Sequence, residues 1–159
     1  MIIFPVDAKI SRVLGILRLL NSNDGEMSIA SLVDITKANL DTLMPQINAG
    51  HFLGVVEVDG EKIRITKLGR AYYKRDKKAR VKVRMNLLKF EPFKTALSLA
   101  KKGPFTISML DDELSSRKIT LSSYPETDAK LLQLMLIQWA LGTRLLNYDN
   151  ETNLWSMRQ

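Results

Sequence analysis

The sequence predicts a mainly α-helical protein with small β-hairpin wings, organised as two winged-helix-like (helix-turn-helix) modules. Three observations carry that expectation. Short stretches repeat apolar residues every three or four positions, each bounded by capping and stop residues. The run Val55-Val56-Glu57-Val58-Asp59-Gly60-Glu61-Lys62-Ile63-Arg64-Ile65 alternates apolar and polar residues on both sides of an Asp-Gly pair. Helices followed by a hairpin then occur twice along the 159 residues, a length that suits one compact domain or two small ones. The modules are read as residues 1–75 and 92–159, with a basic linker helix over 76–91 between them.

In the first module Asp7 is a candidate N-cap for a helix carrying Ile10, Val13, Leu14, Leu17 and Leu20, closed by turn residues 21–25. Ser28 caps a second helix through Ile29, Leu32, Val33 and Ile35. Asn39 caps a third with Leu40, Leu43, Met44 and Ile47, stopped at Gly50. Pro45 falls inside that third helix and is expected to bend it or loosen its first turn. Asp59-Gly60 suits a two-residue type I′ loop, placing Val56 opposite Ile63 and Glu57 opposite Lys62.

Thr66 caps the next helix. It leads into a basic helical stretch anchored by Val81, Met85 and Leu88 and broken at Pro92. Phe93, Ala96, Leu97 and Ala100 mark another helix, Ser108 caps a short one through Leu114, and residues 117–126 read as a loop. Thr127 caps a long helix with Leu131, Leu134, Met135, Gln138, Leu141 and Leu145 along one side. That side serves as core or as a homodimer interface. A second hairpin closes the chain, with strands 144–148 and 154–157, and Trp139 and Trp155 read as its core and wing anchors.

Several function classes are excluded or disfavoured. The chain has no cysteine and one histidine, His51, so Cys/His zinc sites and thiol nucleophiles are absent. No glycine-rich phosphate loop is found. His51, after a helix stop, reads as a partly buried structural residue, with no nucleophile beside it. Asp111-Asp112-Glu113 is the one acidic cluster, and it reads as a helix start that welcomes negative charge rather than as a metal site. No catalytic residue, metal or cofactor is expected, and the protein reads as non-enzymatic. The N-terminal run lacks a basic leader, and the apolar stretch 131–141 is about half a membrane span and carries two glutamines, so membrane insertion is not expected. The expected location is cytoplasmic.

The charge distribution supplies the functional candidate. Of the net +7, residues 62–89 hold 12 basic and 1 acidic residue, whereas residues 1–61 hold 4 basic and 8 acidic and residues 90–159 hold 8 of each. Lys62 and Arg64 stand on the wing, followed by Lys67, Arg70, Lys74, Arg75, Lys77, Lys78, Arg80, Lys82 and Arg84. Such a series suits a phosphate backbone, by counterion release, or an acidic partner surface. Tyr72 and Tyr73 beside it read as a base-stacking pair or as core. The third helix has no Lys or Arg between residues 39 and 49, and Asn39, Thr42, Gln46 and Asn48 are its candidate base readers.

The chain resembles the AAA-associated C-terminal domain family, found after the ATPase domain of nitrate/sulfonate-type ABC transporters and as free-standing archaeal proteins. The residues that carry the resemblance are Ser11-Arg12-Val13-Leu14-Gly15-Ile16-Leu17, Leu40-Asp41-Thr42-Leu43-Met44-Pro45, Ala49 through Gly54 and Ile65-Thr66-Lys67-Leu68-Gly69-Arg70. Gln138-Trp139-Ala140 and Asn147-Tyr148-Asp149 resemble the family's Trp-Gly-Arg and Tyr-Asp marks, with Ala140 and Leu141 in place of Gly-Arg. The resemblance implies two winged-helix-like modules and a regulatory or docking role without catalytic residues. Two functions therefore stand side by side. One is a nucleic-acid-binding regulator that grips double-stranded DNA through wing and linker helix. The alternative is a protein-interaction module docking on an ABC-type transport ATPase.

Overall fold

Helix dominates the computed structural model, which describes residues 2–158, and two small antiparallel sheets complete it. The chain divides into two units: Asp7–Asn86, and a second in which residues 2–6 join residues 87–158.

In the first unit, α1 (Ile10–Ser22) is followed by β1 (Glu26–Ser28), α2 (Ile29–Thr36), α3 (Leu40–Phe52), β2 (Val56–Asp59), β3 (Lys62–Ile65), α4 (Lys67–Tyr73) and α5 (Lys77–Leu87). Three of the four caps expected in this unit are present. The Ser28 hydroxyl accepts the Ser31 N–H at 3.0 Å, the Asn39 carbonyl oxygen that of Thr42 at 2.8 Å, and the Thr66 hydroxyl that of Gly69 at 2.9 Å. Each satisfies an N–H that the first helical turn leaves without a partner. Leu17, Leu20, Leu32, Ile47, Leu53, Val55 and Ile63 are fully buried between helices and sheet. Each contributes about 1.5–3 kcal/mol by leaving water.

Two local expectations are corrected here, the start of the first helix and the register of the hairpin. Helix α1 starts at Ile10 with Lys9 at the cap, because the Lys9 N–H donates to the Gln46 side chain and the Asp7 carbonyl accepts from it. Pro45 sits inside a continuous α3. Strand β1, too short to show alternation, pairs with β3 and makes it the central strand of three. The hairpin is shifted: Asp59 pairs with Lys62, Glu57 with Arg64 and Val56 with Ile65, so the loop residues are Gly60 and Glu61. Gly60 carries the positive φ of 61° at the first loop position, where a glycine-first turn needs it. The displacement is by two residues on β3, so Ile63 and Ile65 keep the buried face.

The second unit holds α6 (Phe93–Lys102), α7 (Ile107–Ser116), a 3₁₀ turn (Pro125–Thr127), α8 (Asp128–Met135), a π-helical segment (Leu136–Leu141), β4 (Leu146–Asp149) and β5 (Leu154–Met157). Phe105 bridges to Trp155 on β5. Phe4 packs edge-on against Phe93 at 5.5 Å and Trp139 at 4.9 Å, and backbone bonds tie Phe4 and Ile2 to Glu91. Trp139 and Trp155 are fully buried, as expected of anchors, and the Trp155 indole N–H donates to Gln133 at 3.1 Å.

Three expectations change in this unit. Thr106, not Ser108, caps α7, its hydroxyl accepting the Met109 N–H. Thr127 donates its hydroxyl to the Tyr124 carbonyl inside the 3₁₀ turn and does not cap α8. The long helix is an eight-residue α-helix running into the π segment, and its inward side is Leu132, Met135, Leu136, Trp139 and Ala140. Leu134 and Leu141, expected on the inward side, are exposed. The Trp139 ring, the largest apolar surface on the segment, takes the core position and sets the rotation.

Candidate docking surface on a basic helix

Helix α5 presents two apolar stripes at four-residue spacing, and only one can face inward. The sequence suggests Val81, Met85 and Leu88. In the structure Ala79, Val83, Asn86 and Leu87 are buried, while Val81 is 47% and Met85 56% exposed. Ala79 is weakly apolar and Asn86 polar, so this stripe is the fainter one in sequence. The Asn86 amide is paid for by its bond to the Leu53 carbonyl at 2.8 Å. Asp76, just before the helix, accepts the Ala79 N–H on its carboxylate at 3.0 Å and sits at the positive end of the helix dipole.

The outer face thus has Val81 and Met85 one turn apart and cations around them. Lys77, Lys78 and Lys82 are exposed, and Arg80 and Arg84 are half-buried. Burial pushes the Tyr72 phenol up, and the charges of Arg80 and Arg84 partly oppose that shift. Both Tyr72 and Tyr73 are half-buried. Lys74 and Arg75 are exposed in the turn before α5, Arg75 at a left-handed φ of 65°. Among the described residues, ion pairs within 4 Å form on the sheet, on α2 and around Arg117, and none involves Lys74, Arg75, Lys77, Lys78 or Lys82. Lys67, at the first turn of α4, is exposed, and Arg70 donates to the Asn21 side chain at 3.1 Å.

The cations of the β2–β3 hairpin are placed differently. Arg64 on β3 donates to Glu26 at 2.6 Å and to Asp59 at 3.0 Å, and Lys62 lies 3.8 Å from Glu26. The bond from Arg64, helped by the Lys62 charge, holds the Glu26 carboxyl below the usual glutamate range. Two carboxylates therefore already answer the hairpin's positive charge. Only the pairing of β1 with β3 brings Glu26 there, and the sequence gives little sign of it.

The four residues proposed as base readers do not form one outward face on α3. The Asn39 side-chain oxygen is engaged in the cap. Gln46 is buried; its oxygen accepts the Lys9 N–H at 2.8 Å and its amide donates to the Asp7 carbonyl at 3.1 Å. Thr42 is half-buried and Asn48 is exposed. His51, expected partly buried, is exposed at the end of α3. Asp111, Asp112 and Glu113 lie past the first turn of α7, and burial with the charges of Asp128 and Asp112 raises the Asp111 carboxyl. Among the described residues no cluster of three or more His, Cys, Asp or Glu side chains could hold a metal ion, and no helix is long and apolar enough to cross a membrane.

A groove that the sequence does not announce opens beside α1. It encloses about 440 Å³ and is lined by Arg12, Gly15, Arg18 and Leu19 of α1, with Ala38 and Thr42 among the residues opposite.

Residues 30–149, from α2 to the end of β4, match the family model described as the C-terminal AAA-associated domain. No curated protein and no solved structure matches the chain.

Proposed function

The chain belongs to the C-terminal AAA-associated domain family, and from that premise we propose that it is a non-enzymatic docking module that engages an ATPase through the outer face of α5. The observation that carries this reading is the exposed pair Val81 and Met85 inside a rim of lysines. A protein interface joins an apolar centre to a polar rim, whereas a phosphate backbone gains nothing from a valine and a methionine. An acidic rim on the ATPase would answer Lys77, Lys78 and Lys82. The order α1-β1-α2-α3-β2-β3 with its three-stranded sheet supports a winged-helix reading of the first unit, and the α6–α8 helices followed by a hairpin support a related one for the second.

The test is co-purification of the tagged full chain from native cells, beside a Val81→Ser/Met85→Ser/Lys78→Glu variant, with ATP hydrolysis and mass spectrometry on the recovered complex. An ATPase held by the natural chain and lost by the variant is the expected result. Retention by the variant, or no ATPase with either, ends the reading.

The uncompensated cations favour a second reading, binding of double-stranded DNA through phosphates. A labelled random duplex titrated at several salt concentrations distinguishes it: tight binding with a steep salt slope, lost on Lys77→Glu/Lys78→Glu/Arg80→Glu, would make α5 a phosphate surface.

A further inference from the structure

Two helical glycines of this chain, Gly15 in α1 and Gly69 in α4, stand in opposite surroundings. A Cβ at Gly69 would lie 2.1 Å from the Val55 carbonyl oxygen, so close approach within the chain itself explains that glycine. A Cβ at Gly15 would meet nothing within 4 Å, and Gly15 has no left-handed φ. Glycine inside a helix costs roughly 0.5–1 kcal/mol against alanine. Neither conformation nor packing within the described chain accounts for that cost at Gly15. Close approach by a molecule outside the chain would account for it, and Gly15 lines the groove beside α1.

The groove's chemistry specifies the visitor. Arg12 and Arg18 line it three residues before and three residues after Gly15. At 3.6 residues per turn each is turned about 60° to its own side of Gly15, and the two are separated by about 9 Å along the axis. Both are exposed, and neither takes part in an ion pair among the described residues. The rest of the lining is mostly apolar, with Ile16 and Leu19 from α1 and Ala38 and Leu43 from the residues that follow α2, and Thr42 joins them. The volume falls in the range of small-molecule sites.

We infer that this groove binds a linear dicarboxylate with an apolar chain, each carboxylate held by one of the two guanidinium groups and the chain lying across Gly15. Arginine pairs with carboxylates through two parallel N–H···O bonds, which fixes the ligand's ends as well as its charge. The site lies apart from the outer face of α5, and it stands or falls independently of the ATPase reading.

The experiment titrates the full ¹⁵N-labelled chain with octanedioate, octanoate and 1,8-octanediol, following the Gly15 amide and the amides of Leu19 and Thr42. Octanedioate is expected to shift these amides saturably, octanoate to bind roughly tenfold more weakly for want of one charge-assisted pair, and the diol to leave them unmoved. Arg12→Gln and Arg18→Gln each weaken octanedioate by about tenfold, and Gly15→Leu fills the groove and abolishes binding. Thermal melts of these variants check that the fold is kept. Absence of saturable shifts, equal binding of octanoate and octanedioate, or unchanged binding in either arginine variant overturns the proposal.

Discussion

Asn86 donates through Nδ2 to the Leu53 carbonyl at 2.8 Å, with both residues buried, and so holds α5 to the end of α3. Replacing it by alanine leaves that carbonyl buried and unpaired. Asn86→Ala is therefore expected to lower unfolding free energy by about 1–3 kcal/mol, and Asn86→Leu to do no better, since added apolar surface does not satisfy the oxygen. Chemical denaturation of the two variants measures both.

The two faces of α5 respond differently to truncation. Val83 is fully buried and Val81 largely exposed. Val83→Ala should cost about 1–3 kcal/mol, while Val81→Ala and Met85→Ala should stay within about 0.5 kcal/mol of the natural chain. Equal losses on the two faces would mean that the outward stripe is not outward in solution.

The glycines give a pair of opposite signs. Gly69→Ala drives a methyl into the Val55 carbonyl, and a backbone atom cannot swing aside, so a loss of about 1–3 kcal/mol is expected. Gly15→Ala meets open space and removes flexibility from the unfolded chain, so a gain of roughly 0.4–1 kcal/mol is expected. Thermal melts of the two variants, run side by side, decide both signs.

Acid sensitivity follows from Glu26. Its carboxyl is held below the ordinary value by the Arg64 bond first and by the Lys62 charge as well. The unfolded chain then takes up a proton at a higher pH than the folded one. The pair's contribution is present above the unfolded glutamate value and is lost as pH falls through the lowered folded value. Arg64→Gln should move the Glu26 carboxyl up in an NMR titration and flatten the acid side of the stability profile. An unmoved Glu26 would show that Arg64 does not bond it in solution.

Much of the fold is legible along the chain, because its signals are local. Ser28, Asn39 and Thr66 announce their helices through single cap bonds, and both hairpins show alternation. Signals that depend on distant partners are hidden. Strand β1 exists because β3 lies beside it. The start of α1 is decided by Gln46, 37 residues from Lys9. On α5 two stripes have the same spacing, and a carbonyl on α3's far end selects the one that contains an asparagine. The candidate surface is legible in its charge and not in its orientation: the lysines stand out in composition, while Val81 and Met85 read as anchors until Asn86 is seen facing in. Gln46 looks available for the same reason, since nothing nearby in sequence shows that the Lys9 N–H and the Asp7 carbonyl claim its side-chain amide.

Phe4 belongs to the same packed cluster as Trp139, although the whole Asp7–Asn86 unit is threaded between them in sequence. During synthesis on the ribosome that intervening unit can close its own core early, because its strands and helices are all in hand by residue 86. Phe4 cannot follow suit: its first ring partners, Phe90 and Phe93, and its backbone partner Glu91 emerge only after that unit, and Trp139 later still. Order of emergence and order of consolidation are thus inverted for the Phe4 segment, which settles after the unit that follows it.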